Sequence, residues 1–82
     1  MAIREELADS YGSDLLFADG FDSAIMGVAV GFDSSRVIYD AEKMAISLVE
    51  EGMSYEEALE YLEFNTFGSW VGEKTPIYIE RA

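Results

Sequence analysis

Carboxylates are the groups most able to do chemistry in this chain: 17 Asp and Glu stand against 5 Lys and Arg, with no His and no Cys. Two acids held across a cleft can act as general acid and base or as a glycosidase pair. Among 17 acids such pairs arise by chance, and no one pair stands out. Ser10, Ser23 and Ser69 lack a histidine to activate them. The missing Cys and His also remove thiolate chemistry, disulfides, the usual zinc ligands and the usual switch near neutral pH. Asp19-Gly20-Phe21-Asp22, with Asp14 before it and Asp33 after it, clusters carboxylates in turns. Its register differs from a helix–loop–helix calcium loop, whose oxygen ligands recur at alternate positions and end in a glutamate. Turn formation explains the same letters. The chain therefore reads as non-enzymatic, with no cofactor and no metal.

Recognition is the chemistry left for the acids. Glu56, Glu60 and Glu63 share one face of a helical segment and Glu57 lies beside them. Glu42, Glu50 and Glu51 extend the negative charge over the preceding helix, provided both helices present it on the same side. Carboxylates three or four residues apart on a helix are about 5–6 Å apart. That is comparable to the separation of successive phosphates along a DNA strand, which winds around a rise of about 3.4 Å per base pair. A solvated face that keeps a small protein soluble would use the same residues. Solubility is ordinarily served by interspersed charges of both signs, however, and a net charge of −12 on 82 residues is far from that.

A second candidate lies at 65–75, where Asn65, Thr66, Ser69, Trp70 and Glu73 surround Gly68 and Gly72. A pocket for a small molecule or nucleotide is one reading; a Trp reaching back into the core and an Asn tying off a helix end is the other. The segment has no phosphate-loop Lys-Ser/Thr ending and no long nucleotide fingerprint.

The elements that must position these residues are legible in outline. Residues 2–11 repeat Ile3, Leu7 and Tyr11 at helical spacing, with Gly12 as the stop. Leu15–Ala18 reads as a strand or an extended approach to one. Ala24–Phe32 is nearly all apolar, the pattern of a central strand, with Gly27 and Gly31 marking bulges or close backbone approach. A turn over 33–36 returns the chain through Val37-Ile38-Tyr39 as the second arm of a β-hairpin. Asp40 caps a helix whose stripe is Ala41, Met44, Ala45, Leu48 and Val49, closed by Gly52. Ser54-Tyr55-Glu56-Glu57 is a capping box for a second helix burying Ala58, Leu59 and Leu62 and ending near Phe64 or Asn65, with Met53 and Ala58 in the staple relation. Residues 66–74 read as a loop, and 75–80 as a closing strand whose Pro76 is tolerated near its start.

The sum is one 82-residue domain (1–82) of α+β class. The expected architecture is an antiparallel sheet of three or four strands, with two principal helices packed on one face and a short N-terminal helix. The N-terminus lacks the pattern of a signal peptide, and the longest apolar run is too short to span a bilayer.

Several segments resemble a group of small acidic proteins encoded by bacteriophages: Gly20–Val28, Val37–Met44, Met53–Ala58, Glu63–Gly68 and Gly72–Ile77. The similarity covers roughly 14–79 and carries over no catalytic residue. It implies work in the bacterial cytoplasm, as an inhibitor or modulator of a host or defence enzyme that handles nucleic acid. The leading expectation is thus a non-enzymatic acidic protein that binds a basic protein surface by phosphate mimicry. Direct contact with nucleic acid or an anionic membrane is disfavoured by charge. The alternatives are the 65–75 pocket, or a homo-oligomeric structural or accessory factor, a homodimer among its forms, using the hairpin edge or the closing strand.

Overall fold

A computed structural model describes residues 3–31, 35–68, 72 and 74–80. Its elements are helix α1 (Ile3–Tyr11), a 3₁₀ turn (Asp22–Ala24), strands β1 (Ile25–Val30) and β2 (Ser35–Asp40), helices α2 (Ala41–Glu50) and α3 (Tyr55–Leu62), a π-helical turn (Glu63–Phe67) and strand β3 (Ile77–Ile79). The fold is α+β, with a three-stranded sheet, one short helix and two larger ones, as the patterning predicts.

Local chemistry explains the helix ends. The Asp40 carboxylate accepts from the N–H groups of Glu42 and Lys43 at 3.0 and 3.2 Å, and satisfies donors that the first turn leaves without partners. At the far end of α2, Gly52 takes φ +116°, open to glycine at no steric cost. Gly52 N–H then reaches Val49 O, and Met53 N–H reaches Leu48 O at 3.2 Å, the paired bonds of a Schellman stop. In α3, Glu57 N–H donates to Ser54 Oγ at 3.1 Å and the Glu57 carboxylate accepts from Ser54 N–H at 3.0 Å. Both halves of the capping box are present.

One core gathers the apolar stripes. Met44, Ala45 and Leu48 of α2 and Ala58 and Leu62 of α3 pack with Val37 and Tyr39 of β2, and with Leu15, Phe21 and Ala24. Tyr39 is fully buried, and its hydroxyl oxygen accepts from the Ala18 N–H at 2.7 Å. Burial pushes the Tyr39 hydroxyl pKa up, because the anion would be desolvated.

The sheet departs from expectation in three ways. Its order is β1-β2-β3, so β2 is central and the apolar run of β1 lies at an edge, with Met26 and Val30 exposed. An apolar run alone does not distinguish a central strand from an edge strand. The sheet is also not antiparallel throughout: β1 pairs antiparallel with β2, whereas β3 pairs parallel with it. A parallel neighbour requires a long crossover, and α2 and α3 lie within that connection. Finally, Leu15–Ala18 forms no strand; it is an irregular segment held through Leu15 and the Ala18–Tyr39 bond. The bulge expected near Gly27 is present as a register shift between Ile25 and Gly27. Of the turn expected over 33–36, Ser35 and Arg36 belong instead to β2, and residues 33 and 34 lie outside the described residues.

The end of α3 also differs. The α-helix stops at Leu62 and a π turn continues to Phe67, taking in Thr66 and Phe67, which read as loop. The core row Ala58–Leu62 would continue in an α-helix to Asn65 or Thr66. The wider turn brings Phe67 inward instead, where its ring lies 4.9 Å from that of Tyr78. Tyr78 in turn stacks on Tyr39 at 5.8 Å.

Candidate functional site: an acidic helical surface

Acids are used differently in two regions of the molecule. Around α1, the Arg4 guanidinium donates to Asp22 at 2.7 Å, to Asp19 at 3.2 Å and to the Ala18 carbonyl at 3.4 Å. It also lies 5.0 Å from the centre of the Phe17 ring, in cation–π range. Its pKa is held further above the ordinary arginine value, chiefly by the bond to Asp22. Lys74 pairs with Asp14 at 3.3 Å. The acidic turns at Asp14, Asp19 and Asp22 thus fasten α1 and the 14–22 segment; Asp33 lies outside the described residues. Among the described residues no group of three or more Asp and Glu is placed to hold a metal ion.

The helical pair carries the other acids. Glu42, Glu50, Glu51, Glu56, Glu57, Glu60 and Glu63 are all exposed. Among the described residues, no Lys or Arg forms an ion pair with any of them. Glu57 is the one committed to structure: its bonds to the Ser54 backbone and side chain hold its carboxyl below the usual glutamate range. Glu56 and Glu60 follow one row of α3, and Glu63 follows the neighbouring row from Tyr55 and Leu59. Glu50 and Glu51 lie at the α2–α3 connection.

Glu42 and Glu63 come together. Both line a groove of about 440 Å³ between the start of α2 and the end of α3, with Tyr55, Leu59, Phe67 and Glu80. The two helices therefore do present acids toward one side at this point. Glu80, from the end of the closing strand, joins them and was missed by sequence reasoning. Its only signal is its place after β3, and that position becomes informative only once β3 is docked on β2.

The 65–75 candidate is partly described. Asn65 and Thr66 line a second groove, of about 500 Å³, with Tyr61, Thr75, Tyr78 and the irregular segment from Leu16 to Asp19. The Asn65 amide donates to the Tyr61 carbonyl at 3.0 Å, as expected of an Asn tying off a helix end. The Thr75 hydroxyl donates to the Gly72 carbonyl at 2.6 Å. Ser69, Trp70 and Glu73 lie outside the described residues. The edges available for a homodimer are β1 and β3, the two outer strands of the sheet.

A further residue on the acidic surface escaped sequence reasoning. Phe64 is 85% exposed, four residues after Glu60 and beside Glu63. Its signal lies in the spacing: Phe64 stands four residues after Glu60, so helical periodicity alone places it on the same outward row, and only the inward turn of Phe67 needs the π turn.

Comparison of the chain with protein-family models, curated proteins and solved structures returns no match. No helix among the described residues is long and apolar enough to cross a membrane.

Proposed function

We propose that this chain is a non-catalytic acidic binding protein whose α2–α3 surface occupies a basic, nucleic-acid-handling groove of another protein and inhibits or modulates it. One observation carries this reading: Glu42, Glu50, Glu51, Glu56, Glu60 and Glu63 have no cationic partner among the described residues, while Arg4 and Lys74 are committed to Asp14, Asp19 and Asp22. Carboxylates left unpaired at helical spacing, about 5–6 Å apart, offer a row of negative charge to a surface built for phosphates. Opposite potentials speed encounter and suppress wrong partners. The resemblance to phage-encoded acidic proteins supports a host or defence enzyme as the target and the bacterial cytoplasm as the place of action.

The test is capture from a bacterial lysate at two salt concentrations, followed by association kinetics with the partner identified. Reversing Glu56, Glu60 and Glu63 to Lys slows association strongly at low salt and less at high salt, where exposed charges are screened beyond about 8–10 Å. An unchanged rate and affinity would rule out phosphate mimicry by this face.

A second reading has the groove beside Asn65, Thr66, Tyr61 and Tyr78 in its favour, as a small-molecule or nucleotide site. It ranks second because the Asn65 amide and Thr75 hydroxyl are already bonded to backbone carbonyls. Saturable nucleotide binding that is lost in Tyr61→Ala would move the function to this groove.

A further inference from the structure

We propose that Phe64 is an aromatic anchor within the acidic surface, and that the partner is a protein whose groove holds single-stranded nucleic acid. The proposal rests on the reading above and adds the kind of groove. Phe64 is the most exposed large hydrophobic residue among those described, at 85%. It continues the row of Glu56 and Glu60 and directly follows Glu63. The π turn packs Phe67 against Tyr78 beside the core, while Phe64 keeps the outward position that helical spacing gives it after Glu60.

Surfaces that bind a duplex meet phosphates on the outside, with the bases stacked away from them. A mimic of the duplex backbone, to which most contacts of such surfaces go, therefore relies on carboxylates more than on a projecting ring. Surfaces that bind single strands combine a cationic track for the backbone with aromatic platforms on which unstacked bases lie. Glu56, Glu60 and Glu63 match the track and Phe64 matches the base. Charge complementarity fixes the sign of the partner, and the ring requires an aromatic or apolar platform beside its cations. Aromatic anchors ringed by polar contacts are a frequent source of interface affinity.

Two synthetic peptides of equal length and charge test this by titration calorimetry, one alternating Lys with Trp and the other Lys with Ser. The native chain is expected to bind the Lys/Trp peptide about tenfold more tightly, in the range seen for loss of one base–aromatic stack. Phe64→Ala should abolish that preference, leave Lys/Ser binding unchanged and melt as the native chain does. Glu56→Gln with Glu60→Gln should weaken both peptides at low salt and keep the preference. Equal binding of the two peptides by the native chain would overturn the anchor while leaving the charge-based function standing. So would a preference that survives in Phe64→Ala. Failure of both peptides to bind at low salt would overturn the acidic binding function itself, and the anchor with it.

Discussion

The α1 side and the helical pair draw on the same residue types for opposite ends. On the α1 side, Asp14, Asp19 and Asp22 are each matched by a cation, and Arg4 joins a helix to an irregular segment through two carboxylates, a carbonyl and a ring. On α2 and α3 the carboxylates outnumber any cation within reach, and the helices hold by their caps and by Met44, Leu48, Ala58 and Leu62. The difference shows that an acid excess is not one property. Part of it is scaffold and part of it is free surface, and only the free part is available to a partner.

The sharpest way to separate the two is to attack what holds each side. Leu62→Ala removes a fully buried side chain between the helices and the sheet. It is expected to cost about 2–5 kcal/mol in chemical denaturation. A loss well under 1 kcal/mol would mean that the helical pair does not depend on its core.

A smaller effect separates the two kinds of acid. Asp22→Asn weakens the Arg4 network and is expected to destabilise by about 1 kcal/mol, discounted because the two side chains are 32% and 43% exposed to solvent. Glu60→Gln is expected to be neutral or to stabilise by up to about 0.5 kcal/mol, since it relieves repulsion from Glu56. Raising the salt concentration should shrink both differences. If Glu60→Gln destabilised as much as Asp22→Asn, the carboxylates of α3 would have structural partners and the contrast would fail.

The smallest expected effect tests Glu57, the exception on the acidic side. Its carboxyl is held low by hydrogen bonds that only the folded helix offers. A depressed acid contributes stability that is present above the ordinary glutamate range and is lost as pH falls through the folded value. Comparing the native chain with Glu57→Gln should therefore show a gap in melting temperature at neutral pH that narrows in acid. A gap that widens on acidification would assign the cap to another group.

Much of this was legible in the letters. Asp40, Gly52 and Ser54–Glu57 act within a few residues of themselves, and an apolar stripe at 3.6-residue spacing states which face of a helix is buried. The acids of α3 are exposed for the same reason. The edge position of β1, the parallel docking of β3 and the lack of a strand at Leu15–Ala18 were not legible, because apolar runs of similar length fit several sheet orders. Glu80 entered the candidate surface only through a docked strand; Phe64 was within reach of the i+4 spacing from Glu60, and only the inward turn of Phe67 required a change of helical phase.

By itself, then, the sequence determined the local elements, their caps and the α+β class, since those depend on neighbours along the chain. The tertiary structure decided which carboxylates are paired, which of two nearby phenylalanines packs against the core and which strand is central. Those outcomes depend on contacts between distant residues, such as Arg4 with Asp22 across 18 positions and Tyr39 with Ala18 across 21. No local pattern encodes the meeting of such groups; it follows from the packing of α2, α3 and β3 around β2.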